Sequence, residues 1–260
     1  MSNATYAYCT VSIAPLRKEN SDASEMVSQL LFGETVQIME HQAPWVKIIS
    51  LIDNYSAFID EKQIMALTQD EMLSWQQQSI FQSELTLSIQ TPWGEQPIYR
   101  GSRIGKEQKF RIGKQIYSLP SLLNGDKKVE FNPWAYAMSF LNTPYLWGGK
   151  STCGIDCSGF IQLVFRNFGS LLPRDAWQQA SVGNSVSWEE TIEGDVAFFE
   201  NKDGKVIHVG IVNHAKEIIH ASGRVRIDEL TSKGIVRKDD KKLTHHLCGL
   251  KRYINPNYGN

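Results

Sequence analysis

The chain has 260 residues and 42% hydrophobic content, enough to bury an ordinary globular core. Lys and Arg number 27 against 28 Asp and Glu, a net charge of −1, so neither a nucleic-acid footprint nor a face for anionic membranes stands out. Cys9, Cys153, Cys157 and Cys248 are too few and too scattered for a disulfide framework, and no stretch approaches the roughly 20 apolar residues of a membrane span.

In chain order, short strands come first: "TVSIAPLR", "TVQIMEH", "WVKIIS" and "YSAFID", broken by polar turns such as "KENSDAS" and "HQAP". Residues 1–67 therefore read as a small β-barrel. Residues 68–128 follow as a linker with helical propensity, "TQDEMLSWQQQS", and a second barrel-like β segment. Its strands are "LTLSIQ", "QPIYR", "KFRIG" and "QIYSL". Residues 129–260 open on "NPWAYAMSFLN", a helix over 132–142 with Asn132 as N-cap and Pro133 at the first helical position. A second helix over 157–168 precedes consecutive strands at 194–200, 208–213, 217–222, 225–230 and 247–254. Helices before a run of strands argue for an α+β fold and against a parallel α/β sheet.

The second helix opens on "GIDCSGF", residues 154–160. Phe160, Ile161, Leu163, Val164, Phe165 and Phe168 recur at helical spacing, and Gly169 suits the C-cap, so an amphipathic helix is expected with Cys157 in its first turn. A thiol there meets the positive end of the helix dipole and unpaired N–H groups, both of which favour thiolate. A lone cysteine is otherwise a small buried hydrophobe. A nucleophilic thiol needs a base, and the base a third group to orient it. The six histidines are His41, His208, His214, His220, His245 and His246. If Asn213-His214-Ala215 is a three-residue hairpin loop, His208 falls directly opposite His220 on the neighbouring strand. The constellation is then Cys157, His208 and His220. Two alternatives stand beside it: both histidines as ordinary strand residues, or both joining Cys153 or Cys157 in a zinc set. The second lacks any Cys-x-x-Cys or His-x-x-x-His spacing.

The blocks "PYLWGGKSTCGIDCSGFIQLVF", "LPRDAWQQ", "EGDVAFF", "HVGIVN" and "IIHASG" resemble the NlpC-type cysteine peptidases of bacterial cell-wall turnover, which have a papain-like fold. The resemblance runs from about 132 to 254. It implies Cys157 as nucleophile, His208 as general base and then acid, and His220 as the residue orienting His208. It implies the N–H of Cys157 as an oxyanion donor and Tyr145 as a group helping to hold the carbonyl oxygen. Asp156 and Ser158 match positions bordering the substrate groove, although either could simply cap the helix. Arg174 and Asp175 match a block in which the family often has a serine where Ala176 stands here. Asp195 reads as a turn residue. The N-terminal segments are similar to bacterial Src-homology-3-like barrels, and two of them ahead of an NlpC-type domain is the arrangement of γ-D-glutamyl-diamino-acid endopeptidases.

The resemblance thus implies a hydrolase that cuts the γ-D-glutamyl bond to meso-diaminopimelate or L-lysine in murein tri- or tetrapeptides with a free N-terminal L-alanine. Glu25 and Tyr55 are the candidates for holding the alanine ammonium. No metal or organic cofactor is implied, nor any nucleic acid, membrane or obligate protein partner. The alternatives are a catalytically silent murein-peptide binding module, and an amidase or acyl transferase using the same triad. Residues 1–30 lack a basic and then apolar export signal, so a cytoplasmic location is expected, with export as the alternative should a leader have preceded Ser2-Asn3-Ala4.

Overall fold

Alternating apolar residues at the start of the chain become strands because period-two patterning can bury one face of a sheet and leave the other wet. The computed structural model describes residues 5–121 and 131–253. Contacts divide the chain into Met1–Lys128 and Val129–Asn260. The N-terminal unit begins with β1 (Tyr6–Cys9), β2 (Ile13–Arg17), β3 (Met26–Leu31), β4 (Thr35–Gln42), β5 (Trp45–Ser50), β6 (Ser56–Asp60) and β7 (Ile64–Leu67). These form one antiparallel sheet in the order β3-β2-β6-β5-β4-β1-β7 around Ala14, Leu30, Val36, Ile48 and Ile59.

The linker does form a helix, α1 (Gln69–Gln78), and the reason is local. Glu71 N–H donates to Thr68 Oγ1 at 3.2 Å while Thr68 N–H donates to Glu71 Oε2 at 2.8 Å, a reciprocal capping box. Its buried Met72 and Trp75 share one face. Then come β8 (Ser79–Phe81), β9 (Thr86–Thr91), β10 (Gly94–Tyr99), β11 (Arg103–Gly105), β12 (Lys109–Ile112) and β13 (Gln115–Ser118). They pair as β10-β9-β13-β12 and as β11-β8. Tyr8 and Phe32 of the first segment share a core with Trp75, Ile89 and Tyr117 of the second. Trp75 Nε1–H donates to the Gly33 carbonyl at 2.8 Å, and the Tyr8 and Tyr117 hydroxyls are 2.8 Å apart. The two β segments of this unit are therefore held by common packing.

The C-terminal unit opens with α2 (Pro133–Met138), where Ala135 N–H donates to the Asn132 cap at 2.8 Å. It is shorter than the expected 132–142: turns replace helix after Met138, and Asn142 takes φ 67°. A two-residue hairpin, β14 (Lys150–Ser151) and β15 (Gly154–Ile155), leads into α3 (Cys157–Arg166), followed by α4 (Ala176–Gln179). The strands are β16 (Asn184–Ser185), β17 (Val196–Glu200), β18 (Val206–Val212), β19 (Glu217–Ser222), β20 (Arg224–Thr231), β21 (Gly234–Val236) and β22 (Leu243–Arg252). The sheet runs β16-β22-β17-β18-β19-β20-β21, and a further pairing of β21 with β22 closes six of these strands into a ring. The short β21, unmarked by any hydrophobic run, makes that closure. Ala197, Phe199, Val212, Ile218, Leu230, Ile235 and Leu250 form a core within the ring strands.

Two expectations are corrected here. The helix α3 ends at Arg166, and its polar side does not face water: all ten of its residues are buried, including Ser158, Gln162 and Arg166. It is a central helix, so its polar residues must find partners inside the protein. The β18–β19 register also differs. Gly210 pairs with His220, Ile211 with Ile219 and Val212 with Ile218, so His208 is not directly opposite His220. The loop is His214-Ala215-Lys216: Asn213 N–H donates to the Glu217 carbonyl at 3.0 Å and Lys216 N–H to the Asn213 carbonyl at 3.2 Å. Lys216 adopts the left-handed conformation, φ 55°, with its ammonium 4.6 Å from the Trp188 ring. The shift is by an even number of residues, so both histidines stay on one face.

Candidate active site

The nucleophile candidate is set by the start of α3. Asp156 is the N-cap, and Gly159 N–H donates to its Oδ1 at 2.7 Å. Glycine is required at 159, because a β-carbon there would lie 2.4 Å from the Gly149 carbonyl oxygen. Cys157 is thereby held in the first turn, 7% exposed, with the backbone N–H groups of Ser158 and Val209 close enough to its sulfur to favour the thiolate. Val209 follows His208 on β18, and α3 packs against that strand.

The helix start does not by itself yield a resting thiolate. Burial pushes the Cys157 thiol up to about 12, and the Asp156 carboxylate adds to that, while Arg174 and the two N–H groups act against it. His208, 5% exposed, is held well below its ordinary value by burial and by the neighbouring His220 and His245. Burial thus opposes the charged form of each group taken alone.

His208 and His220 meet on a diagonal between β18 and β19, His208 Nε2 lying 2.7 Å from His220 Nδ1. Gly210, directly opposite His220, carries no side chain to obstruct that lean. His220 Nε2 is in turn 3.0 Å from Asp228 Oδ2 on β20. The ring nitrogens of the histidine pair thus point at each other and at a carboxylate, which disposes of the alternative in which both converge on a zinc ion with Cys153 or Cys157. Among the described residues no group of three or more His, Cys, Asp and Glu side chains could hold a metal ion.

Tyr145 is placed by its backbone N–H, which donates to the Gly223 carbonyl at 3.0 Å, and by a bridge to Ile155. Burial raises its hydroxyl pKa, as do the nearby Cys157 and Asp156. Asp156 and Ser158, expected along a groove, spend their polar atoms inside the fold. Arg174, 1% exposed, donates from Nη1 to Asp156 Oδ1 at 3.1 Å and to Ser158 Oγ at 2.9 Å, and from Nη2 to Asp156 Oδ2 at 2.6 Å. Gly148 N–H also donates to Asp156 Oδ2, at 3.0 Å. Asp175 precedes α4, its N–H donating to Gln178 Oε1 at 3.0 Å. Asp195 is a turn residue, buried and gripped by Arg252 at 2.7 and 2.9 Å. Glu25 and Tyr55 belong to the N-terminal unit: Glu25 is exposed, 3.6 Å from the Lys18 ammonium, and Tyr55 packs beside the first sheet's core.

Two residues at the site escaped the sequence reading. His245 stacks on His208 with ring centroids 4.3 Å apart and planes at 25°. Burial and nearby His220 lower its pKa to about 4 against the pull of Asp228, so it is neutral at physiological pH. Asp228 is 2% exposed. An acid on an apolar strand position, between Ile227 and Leu230 in "VRIDEL", was a usable signal, since a buried carboxylate requires partners.

The model of the NlpC/P60 family matches residues 142–243, and that of the bacterial dipeptidyl-peptidase Sh3 domain matches residues 16–64. The chain is 30% identical over 217 residues to the gamma-D-glutamyl-L-lysine dipeptidyl-peptidase of Bacillus subtilis (strain 168), a match covering 75% of this chain and 71% of that protein. It is 41% identical over 101 residues to the probable endopeptidase NlpC of Escherichia coli (strain K12), covering 38% of this chain and 60% of that one. The crystal structure of a NlpC/P60 family protein from Bacillus cereus ATCC 10987 superposes with a TM-score of 0.79 at 19% identity, over 95% of this chain and 99% of that one. Similarity extending through most of both sequences, on a shared fold, assigns this chain to the NlpC/P60 family, a papain-like hydrolase domain following SH3-like sheets.

Proposed function

We propose that the protein is a cysteine endopeptidase of murein peptides, hydrolysing the bond between the γ-carboxyl of D-glutamate and the amine of meso-diaminopimelate or L-lysine. The observation that carries this reading is the 2.7 Å contact between His208 Nε2 and His220 Nδ1, on a strand packed against the helix that begins at Cys157. His208 is thereby oriented with its other nitrogen available to the thiol. The dipeptidyl-peptidase relative supports the choice of bond.

In the first half-reaction Cys157 Sγ attacks the γ-carbonyl carbon and its proton passes to His208 Nδ1. The oxyanion formed is stabilised by the N–H of Cys157 and by Tyr145. Collapse breaks the C–N bond, His208 returns the proton to the departing amine, and a thioester remains. Water then attacks that thioester, giving its proton to His208; cleavage of the C–S bond releases the glutamyl carboxyl and restores the thiol. Tri- and tetrapeptides with a free N-terminal L-alanine are the proposed substrates. Cys9, Cys153, Cys157 and Cys248 are not joined in disulfides, which fits a reducing, cytoplasmic setting, proposed on that ground.

Incubation with L-Ala-γ-D-Glu-diaminopimelate should release L-Ala-γ-D-Glu, followed by chromatography, and an N-acetylated peptide should be cut far more slowly. Absence of the dipeptide product would defeat the reading, and binding without cleavage would mark a silent binding module.

A further inference from the structure

Asp228 takes part in none of the steps above, yet it is a buried carboxylate in contact with His220. It lies on β20, diagonal to His220 on β19 just as His220 is diagonal to His208 on β18. Oδ2 faces His220 Nε2 at 3.0 Å. Oδ1 accepts from Lys238 N–H at 2.9 Å and from Arg226 Nη2 at 2.9 Å. Arg226 Nη2 also donates to Asp239 Oδ2 at 2.8 Å, which places the cation between two acids.

A carboxylate held by three donors is an acceptor only, so it dictates where the protons sit on the rings that face it. His220 Nε2 must carry hydrogen in order to donate to Asp228. A neutral His220 then has a lone pair on Nδ1, which can only accept. The partner 2.7 Å away, His208 Nε2, must therefore be the N–H. A neutral His208 with hydrogen on Nε2 has its lone pair on Nδ1, the atom required to take the proton of Cys157.

We infer that Asp228 is a positioning residue of the hydrolase: acting through His220, it selects the tautomer of His208 whose Nδ1 is a free base toward Cys157. This rests on Cys157 and His208 being the reacting pair. No proton travels past His208. The Sγ proton moves to His208 Nδ1 and back to a leaving group, while the Nε2–H groups of His208 and His220 remain donated to His220 and Asp228. Burial alone would raise the Asp228 carboxyl, but the hydrogen bonds from His220, Lys238 and Arg226 together hold it well below the usual carboxylate range. The ionisable groups around this chain are His208 on β18, His220 on β19, Arg226 on β20, His245 on β22, Asp239 beyond β21, and Cys157 with Asp156 and Arg174 beside it. Losing the carboxylate charge frees the tautomer. An amide in its place can offer its NH₂ to His220 Nε2, which reverses both rings and puts hydrogen on His208 Nδ1.

The test measures the rate at which iodoacetamide alkylates Cys157 as a function of pH, read by peptide mass spectrometry against Cys9, Cys153 and Cys248, so that no choice of substrate enters. Asp228→Asn should slow alkylation of Cys157 near neutral pH and displace its profile, and lower kcat on the murein tripeptide by about 10²–10⁴-fold with little change in KM, the loss expected when a general base is misoriented. In a His220→Ala background the same substitution should have almost no further effect. An unaltered alkylation profile in Asp228→Asn, or full additivity with His220→Ala, would overturn the inference while leaving the thiol and imidazole in place. Slow, pH-independent alkylation of Cys157 in the wild type would instead defeat the proposed function. Should Asp228→Asn not fold, long-range proton–nitrogen NMR of the wild type decides: both His208 and His220 should show hydrogen on Nε2, and hydrogen on Nδ1 of either ring would refute the assignment.

Discussion

Gly210 stands directly opposite His220, and a β-carbon added at Gly210 would come within 2.9 Å of the His220 β-carbon. That contact is closer than side chains tolerate, so the glycine is what lets His220 lean across to His208. Gly210→Ala should displace the ring, lowering kcat by at least about tenfold, for an overpacking cost to stability of roughly 1–3 kcal/mol. Steady-state kinetics and thermal unfolding on one preparation check both parts; wild-type kcat would show that the diagonal contact does not depend on the space at 210.

Cys157→Ala removes the attacking sulfur and should abolish turnover while leaving the circular dichroism spectrum and melting temperature close to wild type. His208→Ala should come near it. Because the two act as one unit, the double variant should be little worse than Cys157→Ala. Residual rates measured over long incubations provide the comparison, and independent, multiplicative losses would contradict a shared step.

Arg174 and Asp156 form an ion pair 2.6 Å apart with side chains 1% and 9% exposed. Removing the cation in Arg174→Leu leaves a buried carboxylate without its counter-charge, and breaking such a pair costs about 3–5 kcal/mol. Urea unfolding should show a correspondingly lower midpoint. Asp156 is also the cap of α3, so Cys157 alkylation should slow in the same variant. An unchanged midpoint would mean that Gly148 N–H, Gly159 N–H and Ser158 suffice.

Acid should destabilise the fold through its histidines. Burial lowers the pKa values of His208, His220 and His245 below their ordinary 6.5, His245 to about 4. Below 6.5 the unfolded chain therefore binds protons that the folded one refuses, and stability falls as pH falls, by about 1.4 kcal/mol per pH unit for each such group, until its folded pKa is reached. Asp228 acts in the same direction at lower pH, its stabilisation being lost as pH falls through its depressed pKa. Melting temperatures between pH 4 and 7 should drop on the acid side, and His245→Gln should flatten that slope. A slope unaffected by His245→Gln would remove His245 from the account.

The features legible in the amino-acid order are those carried by near neighbours. Asn132 and Pro133 mark the start of α2, Asp156 two residues ahead of Ser158 marks the start of α3, and the α+β succession follows from where periodicity changes from helical to alternating. Cys157, His208 and His220 were likewise singled out from local motifs. Tertiary structure decided what those residues meet. The β18–β19 register turned on Lys216 taking a left-handed conformation, which a lysine does not advertise, so a pairing drawn as directly opposite became a diagonal made feasible by Gly210. The closing strand β21 has too few residues to be seen as a pattern and exists because β20 and β22 flank it. Burial of every face of α3, the high pKa of the Cys157 thiol and the grip of Asp228 on His220 all arise from elements distant in the chain. Helix and strand signals are written within a few residues, whereas desolvation and hydrogen-bond direction depend on whatever the folded chain packs against each group.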